Sequence, residues 1–275
     1  MTQAEKGVAF AELHKRPSAF IIPNPWDIGS ARLLTQLGFE ALATSSAGHA
    51  FSIGKADNAV GRDAMLAHAR YLAAATDLPV SVDLENGFGD TPEFVAETMR
   101  HAVATGVVGG SIEDATQRLD DPIYERSLAT ERIRAAAEVV RALPFPFILT
   151  ARCENYLVGK PDLKDTIERL RRYQEAGADV LYAPGLTTKE DIAAVVGAVD
   201  RPVNVLMALK GVALSVPELS LLGVKRISVG SALARYALTA LLRGAREMRE
   251  HGTFSFAEEA ETFRNINSFF ATDPM

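Results

Sequence analysis

The chain has 275 residues, of which 48% are hydrophobic and 23% are charged, and its formal net charge is −6. These proportions are typical of a globular protein, and the acidic balance without a basic cluster argues against nucleic-acid binding. No apolar run approaches the roughly 18 residues that a membrane helix needs, and the first residues lack the layout of a signal peptide. The one cysteine, Cys153, allows neither an internal disulfide nor a thiolate metal site. We therefore expect a single domain over residues 1–275, in the cytoplasm, with no nucleic-acid or membrane partner.

Eight short runs with β propensity recur along the chain and alternate with segments of helical spacing. The runs lie at residues 19–23, 41–45, 79–83, 107–113, 146–152, 179–184, 202–207 and 226–230. Alternation of this kind indicates βα units and a parallel sheet. We predict an α/β fold, a closed (β/α)8 TIM barrel, with a helical carboxy-terminal extension over residues 232–275. An open doubly wound sheet is the alternative, and it is disfavoured because no GxGxxG turn follows the first strand.

In such a barrel the active site lies at the carboxyl ends of the strands, and strands three to five end in charged residues. These are Asp83, Glu85, Glu113, Asp114, Arg152 and Glu154. Asp83 and Glu85 are two residues apart, so a continuous strand would point both to one face. This many carboxylates need a compensating charge, and oxygen ligands favour magnesium (Mg²⁺), with manganese (Mn²⁺) as the alternative. The other interpretation is that these are loop residues, helix caps or, for Asp114, a salt-bridge partner.

Several segments together resemble the phosphoenolpyruvate mutase/isocitrate lyase superfamily. They are PNPWDIGSARLLTQLGFEALATSSAG, then Asp57, SVDLENGFGD, GGSIED and LTARCEN, and the resemblance covers roughly residues 19–235. It implies a (β/α)8 barrel that binds magnesium and a 2-oxo acid or its enolate. It also implies chemistry that makes or breaks a C–C or P–C bond beside that group.

The resemblance also implies roles for the metal-binding residues. Asp83 would ligate magnesium directly, while Asp57, Glu85 and Glu113 would hold the waters of the metal ion. The superfamily usually has an aspartate where this chain has Glu85. A role through water tolerates the longer side chain more easily than direct ligation does.

The substrate side of the site follows from the same resemblance. Ser45 would contact the substrate, backbone amides around Ser46 and Ala47 would bind its carboxylate, and Asp83 would lie beside it. Arg152 would neutralise charge on the bound oxo acid, since a planar guanidinium suits a developing oxyanion. On strand seven, Asn204 is a candidate for a second carboxylate of the substrate, with a structural amide that fills the barrel as the alternative.

Two departures from the superfamily bear on the reaction. The segment after the fourth strand, IEDATQRLDDPIYERSLAT, lacks the Lys-Lys-Cys-x-His sequence of the lyase branches, and Pro184 stands where the mutases place a histidine. We therefore expect neither the usual isocitrate lyase route nor phosphoryl migration. Glu154, Tyr182 and His49 are the candidate proton donors, and Cys153 is expected to be a buried structural thiol. Whether residues 114–130 close as a lid stays open.

The predicted function is a magnesium-dependent lyase that acts on a small 2-oxo (or 2-hydroxy) di- or tricarboxylic acid. It would proceed through an enolate, with C–C cleavage or decarboxylation. The alternatives are a hydrolase or mutase of a phosphonate or phosphoenol acid, and a non-catalytic 2-oxo acid binding protein.

The carboxy-terminal part of the chain predicts assembly. Residues 231–250 are apolar on much of the helix circumference, and Phe263, Phe269 and Phe270 follow. The eighth helix of the resembling superfamily swaps between subunits, and tetramers are common. We expect a homo-oligomer, a dimer or a tetramer.

Overall fold

The computed structural model describes residues 1–271, and their strands form one parallel sheet. The strands are β1 (Phe20–Ile22), β2 (Leu42–Ala43), β3 (Val80–Asp83), β4 (Gly109–Glu113), β5 (Ile148–Arg152), β6 (Val180–Tyr182), β7 (Val203–Leu206) and β8 (Arg226–Ser228). Their order is β1-β8-β7-β6-β5-β4-β3-β2. The Ala43 amide donates to the Pro23 carbonyl oxygen at 3.1 Å, which joins the two outer strands. The predicted TIM barrel is confirmed, and the open doubly wound alternative is wrong.

Helices connect the strands and surround them. They are α1 (Gln3–Leu13), α2 (Ile28–Gln36), α3 (Ser46–Ser52), α4 (Arg62–Ala74), α5 (Pro92–Val103), α6 (Arg126–Arg141), α7 (Leu163–Glu175), α8 (Lys189–Ala198), α9 (Val216–Leu221), α10 (Ala232–His251) and α11 (Phe263–Phe270). Each predicted β run contains one of the observed strands. The assignment of residues 1–275 to a single domain stays a prediction.

The register between neighbouring strands places a row of polar side chains inside the barrel. Glu113 lies opposite Arg152, and Arg152 lies opposite Tyr182. Tyr182 in turn lies opposite Asn204, which lies opposite Arg226. Residues in register on parallel neighbours project to the same face of the sheet. Five polar side chains from five adjacent strands therefore meet inside the barrel.

The amino end of the barrel is filled by α1. Phe10 is fully buried, and its ring packs edge-on against His14 and Phe20. A Cβ added to Gly109 would lie 2.7 Å from the Phe10 ring, so the strand needs glycine to admit this helix. The opposite end, where the strand carboxyl ends lie, is the one left for a site.

The predicted helical extension is present as α10 and α11, and its last residues, 272–275, lie outside the described part of the chain. Large apolar side chains on it are exposed, and they include Tyr236, Leu241, Leu242, Phe254 and Phe263. Phe269 is half-buried, and its carbonyl oxygen accepts a hydrogen bond from Gln36 on α2. The extension thus bends back to α2 while it leaves much of its apolar surface uncovered. Within residues 1–271 no helix is both long and apolar enough to cross a bilayer.

Candidate active site

Arg152, the last residue of β5, is the centre of the charged cluster. Its Nη1 lies 3.1 Å from Glu113 Oε2 and 3.7 Å from Asp83 Oδ1, and its Nε pairs with Glu154 Oε1. All four side chains are largely buried. One guanidinium therefore joins the ends of β3, β4 and β5, as their positions in the sequence predicted.

Burial and like charge set the proton affinities of this cluster. Burial raises the pKa of the Glu113 carboxyl well above its ordinary value, and Arg152 opposes that rise. Burial raises the pKa of Glu154 in the same way, again with Arg152 opposing it. The acids outnumber the single guanidinium, so a further cation would stabilise their ionised forms.

Asp83 is held from two sides. Its Oδ2 accepts hydrogen bonds from Ser46 Oγ at 2.9 Å and from the Ser46 amide at 3.3 Å. Its Oδ1 accepts from the Glu85 amide at 3.2 Å. The Ser46 amide, predicted to bind a substrate carboxylate, thus donates to a carboxylate of the protein itself. The other predicted cradle residues lie nearby: Ser45 Oγ accepts from the Gly48 amide and caps α3, and half-buried Ala47 follows in its first turn.

Glu85 reaches the cluster through a turn. β3 ends at Asp83, and Glu85 has a left-handed backbone with φ of 50°, so the alternation of side chains along a strand does not set the direction of the Glu85 side chain. The Glu85 side chain is buried, and its Oε2 accepts from Gln117 Nε2 at 3.1 Å. Burial, reinforced by the charge of Asp83, raises the Glu85 pKa to about 7. Asp57 lies across the same opening, more exposed, with its pKa raised by desolvation and then by Asp83.

A buried arginine stabilises the turn that carries Glu85. The Arg132 guanidinium, on α6, donates to the carbonyl oxygens of Gly89 and Asp90, both at 2.6 Å, and to that of Asn86. It also lies 4.0 Å from the centre of the Tyr124 ring. This contact was not predicted from the sequence, since Arg132 has the spacing of an ordinary helix residue.

The donor set fits a hard divalent cation. Asp57, Asp83, Glu85 and Glu113 offer only carboxylate oxygens, the ligands that magnesium and manganese prefer. Across residues 1–271 no three acidic, histidine or cysteine side chains are placed to ligate one ion together. A magnesium ion usually keeps several waters and takes one or two carboxylates directly, so its site does not require three protein ligands on one ion.

Asp114 does not join this cluster, which corrects the grouping of all six strand-end residues at one rim. It is buried behind the barrel wall, where it accepts from Arg169 Nη1 at 3.2 Å and from the Tyr173 hydroxyl at 2.5 Å. It also accepts from the Glu154 amide at 2.7 Å. Neighbours along a strand point to opposite faces, so Glu113 faces inward and Asp114 outward. The salt-bridge interpretation of Asp114 is the one confirmed.

The candidate proton donors differ in placement. Tyr182 is buried beside Arg152, whose guanidinium lies 5.5 Å from its ring centre, and burial raises the Tyr182 pKa to about 12. His49 instead stacks on His68, with ring centres 3.8 Å apart. Cys153 is buried, as expected, with Sγ 3.0 Å from Asn155 Oδ1, and burial raises the pKa of its thiol.

The segment after β4 is paired at its base. Ala115 and Ile123 form an antiparallel bridge, and Leu119 at the tip is fully exposed. Gln117, near that tip, donates to both Glu85 and Asn58. The contact was not predicted, because Gln117 lies in a loop without a regular pattern.

The mouth of the barrel leads into a polar cavity. Its lining includes Asn24, Ser45, Asp83, Arg152, Tyr182, Asn204, Arg226 and Ser228. Asn204 is fully buried: its Nδ2 donates to Ser228 Oγ, and its Oδ1 accepts from Arg226 Nε, both at 2.9 Å. The sequence did not predict a role for Arg226, because LGVKRI looks like an ordinary helix end followed by the start of a strand.

Comparison with known proteins agrees with this geometry. A family model described as phosphoenolpyruvate phosphomutase matches residues 10–249. The chain belongs to the phosphoenolpyruvate mutase/isocitrate lyase superfamily. Membership makes it an enzyme of the lyase and mutase type, which confirms the predicted family and the coarse enzyme class.

Individual superfamily members show how far the similarity extends. A candidate lyase/mutase from Burkholderia cenocepacia J2315 is 63% identical, with a TM-score of 0.96 over 99% of this chain and 98% of that one. The 2-methylisocitrate lyase of Escherichia coli is 29% identical over 195 residues, 68% of this chain and 64% of the relative. An oxaloacetate acetylhydrolase solved with its product oxalate is 26% identical, with a TM-score of 0.85 over 98% of this chain and 94% of that one.

Proposed function

We propose that this superfamily member is a magnesium-dependent lyase of a small 2-oxo (or 2-hydroxy) di- or tricarboxylic acid. The reaction is C–C cleavage or decarboxylation through an enolate. The observation that carries the proposal is the meeting of Asp83, Glu113 and Glu154 on Arg152 at the open end of the barrel. The relatives named for methylisocitrate and oxaloacetate support this class of substrate.

Asp83 would hold the metal ion directly, and Asp57, Glu85 and Glu113 would hold its waters. When bound, magnesium (or manganese) supplies a Lewis acid that stabilises negative charge on the 2-oxygen of the substrate. The donor chemistry of the four carboxylates is what supports this assignment.

The protein's own residues would bind and orient the acid. Arg152 presents a guanidinium at the cavity opening, and its delocalised charge suits the oxygen on which negative charge develops. The Ser45–Ala47 segment lies on the neighbouring wall beside Asp83. Glu154, buried against Arg152 with a raised pKa, is the proposed proton carrier, and Tyr182 is the alternative.

Thermal melting against a panel of 2-oxo and 2-hydroxy acids, each with magnesium and with EDTA, tests the proposal. A ligand that binds only the folded state raises the melting temperature. At a free ligand concentration one hundred times its Kd, it adds about 2.7 kcal/mol to the free energy of unfolding. We expect one or two oxo acids to stabilise the protein only with magnesium present, and to be consumed in turnover assays. Shifts that are the same in EDTA would contradict the metal-dependent site, and stabilisation without any product would favour a binding protein.

The proposal includes assembly of identical chains. Tyr236, Leu241 and Leu242 on α10 and Phe263 on α11 are exposed, and burial of such a surface favours association. We expect a dimer or a tetramer at micromolar concentration by sedimentation velocity. Leu241→Glu should shift the distribution toward monomer, whereas Leu119→Glu, at the exposed tip after β4, should leave it unchanged. A wild-type protein that sediments as a monomer would contradict this part.

A reducing, cytoplasmic location completes the proposal. It is supported by the single free thiol of Cys153, which is buried in the described chain.

A further inference from the structure

Arg226 is a buried cation without an acidic partner. The residue is 5% exposed and lies at the start of β8, inside the barrel. Its Nε donates to Asn204 Oδ1 at 2.9 Å, and its Nη2 donates to Thr150 Oγ1 at 2.9 Å. Among residues 1–271 no carboxylate forms an ion pair with it, and burial lowers its pKa to about 10. An unpaired charge in the interior of a protein costs desolvation free energy, which suggests that the charge is kept for a function.

The third partner of Arg226 is neutral as well. The Nη1 of Arg226 lies 3.5 Å from His14 Nε2, at the end of α1. His14 Nδ1 lies 2.8 Å from the Phe10 carbonyl oxygen, which can only accept, so Nδ1 carries the proton and Nε2 presents a lone pair. Burial, and then Arg226, lower the His14 pKa to about 3, so the ring stays uncharged. Asn204, Thr150 and His14 therefore orient the guanidinium without cancelling its charge.

The guanidinium also retains donors. It has five N–H groups, and the three partners use one each, which leaves one N–H on Nη1 and one on Nη2 without an acceptor in the described chain. A carboxylate is bound by two such donors in a planar fork.

Arg226 and Arg152 line the same cavity at different depths. Arg152 lies at the opening and is committed to Glu113, Glu154 and Asp83. Arg226 contacts His14, beside the helix that fills the amino end, and so forms part of the floor. A ligand that enters from the rim meets the paired cation first and the unpaired one last.

We propose that Arg226 forms an anion subsite at the cavity floor that binds a second carboxylate of the substrate, remote from the 2-oxo acid group. Asn204 is then a positioning residue, since its Oδ1 fixes the guanidinium while its Nδ2 is held by Ser228. The subsite rests on the proposed function and specifies it: the enzyme selects diacids over acids that lack the remote carboxylate.

Calorimetric titrations of two ligands, with magnesium present, distinguish binding at the rim of the cavity from binding at its floor. Oxalate presents adjoining carboxylates for the rim alone, whereas 3,3-difluorooxaloacetate adds a remote carboxylate. Arg226→Met keeps the aliphatic stem and removes the charge. We expect it to weaken 3,3-difluorooxaloacetate binding about 10- to 100-fold, because hydrogen bonds to charged groups contribute that much to affinity. Oxalate binding should change by less than about threefold, and Arg226→Lys should restore part of the loss.

Asn204→Asp tests the same idea without removing the arginine. The new carboxylate would lie against Arg226 Nε and neutralise the guanidinium, so we expect the protein to melt at a higher temperature while it loses the preference for the remote carboxylate. If Arg226→Met does not fold, Asn204→Asp still tests whether the charge of Arg226 binds the remote carboxylate. Equal effects of the substitutions on both ligands, or unchanged binding of both, would overturn the floor subsite alone. Wild-type protein that binds neither ligand with magnesium would overturn the proposed function, and the subsite with it.

Discussion

Asp83→Ala is expected to abolish the magnesium-dependent turnover of the preferred oxo acid, by at least about 10³-fold, and the magnesium-dependent rise in melting temperature. A metal ion that stabilises developing charge contributes several kcal/mol, and each 1.36 kcal/mol is about tenfold in rate. Asp83 is the carboxylate that the geometry prepares for this task, because Ser46 and the Glu85 amide fix both of its oxygens. Steady-state rates with magnesium and with EDTA measure the first effect, and melting curves measure the second.

Two further variants make this result specific. Asp83→Asn keeps the size of the side chain and an oxygen that can accept from Ser46, so it should preserve the fold while it loses the metal response. Asp63→Asn removes a carboxylate whose side chain is 94% exposed on α4, and it should match wild type. Magnesium-dependent turnover that survives in Asp83→Ala at the wild-type rate would contradict the metal assignment.

Asp114→Ala is expected to lower the free energy of unfolding by about 3–5 kcal/mol, the usual cost of removing one partner of a buried ion pair. The substitution would leave Arg169 with one carboxylate fewer, and it would strip the Tyr173 hydroxyl and the Glu154 amide of their acceptor. Urea denaturation followed by fluorescence or circular dichroism measures the change.

Asp165→Ala is the matched control for this loss. Asp165 also pairs with Arg169, at 2.8 Å, and it has further partners in Arg126 and in Asn155 Nδ2, but its side chain is 20% exposed, so water can take over part of these contacts. We expect a cost of about 1–2 kcal/mol for that variant, below that of Asp114→Ala, because partly exposed pairs contribute less than buried ones. Equal costs for the two substitutions would show that the burial of Asp114 does not matter to stability.

The sequence was sufficient for the barrel because its signals are local. Each β run and each helix end is read from a few adjacent residues, and the strand carboxyl ends then follow. This logic brought Asp83, Glu113, Arg152 and Glu154 together correctly. It misplaced Asp114, because all six strand-end residues were grouped at one rim, although the alternation of side chains along a strand turns Asp114 to the face opposite Glu113.

Other parts of the site depend on distant contacts, which local patterns do not encode. The position of Glu85 results from a left-handed backbone and from Gln117, which lies 32 residues further along. The guanidinium of Arg226 is oriented by Thr150 and His14, which lie 76 and 212 residues away in the sequence. In sequence, a solvated lysine or arginine before a strand looks the same as this buried one.

The plug of Phe10, His14 and Phe20 at the amino end has a kinetic consequence for a lyase. With that end filled, both fragments of a cleaved substrate leave by the mouth through which the substrate entered. In the proposed cleavage, the fragment bound at the floor would leave only after the fragment at the rim. Product release would then be ordered, and the fragment that leaves last would be the one that competes with substrate for the free enzyme.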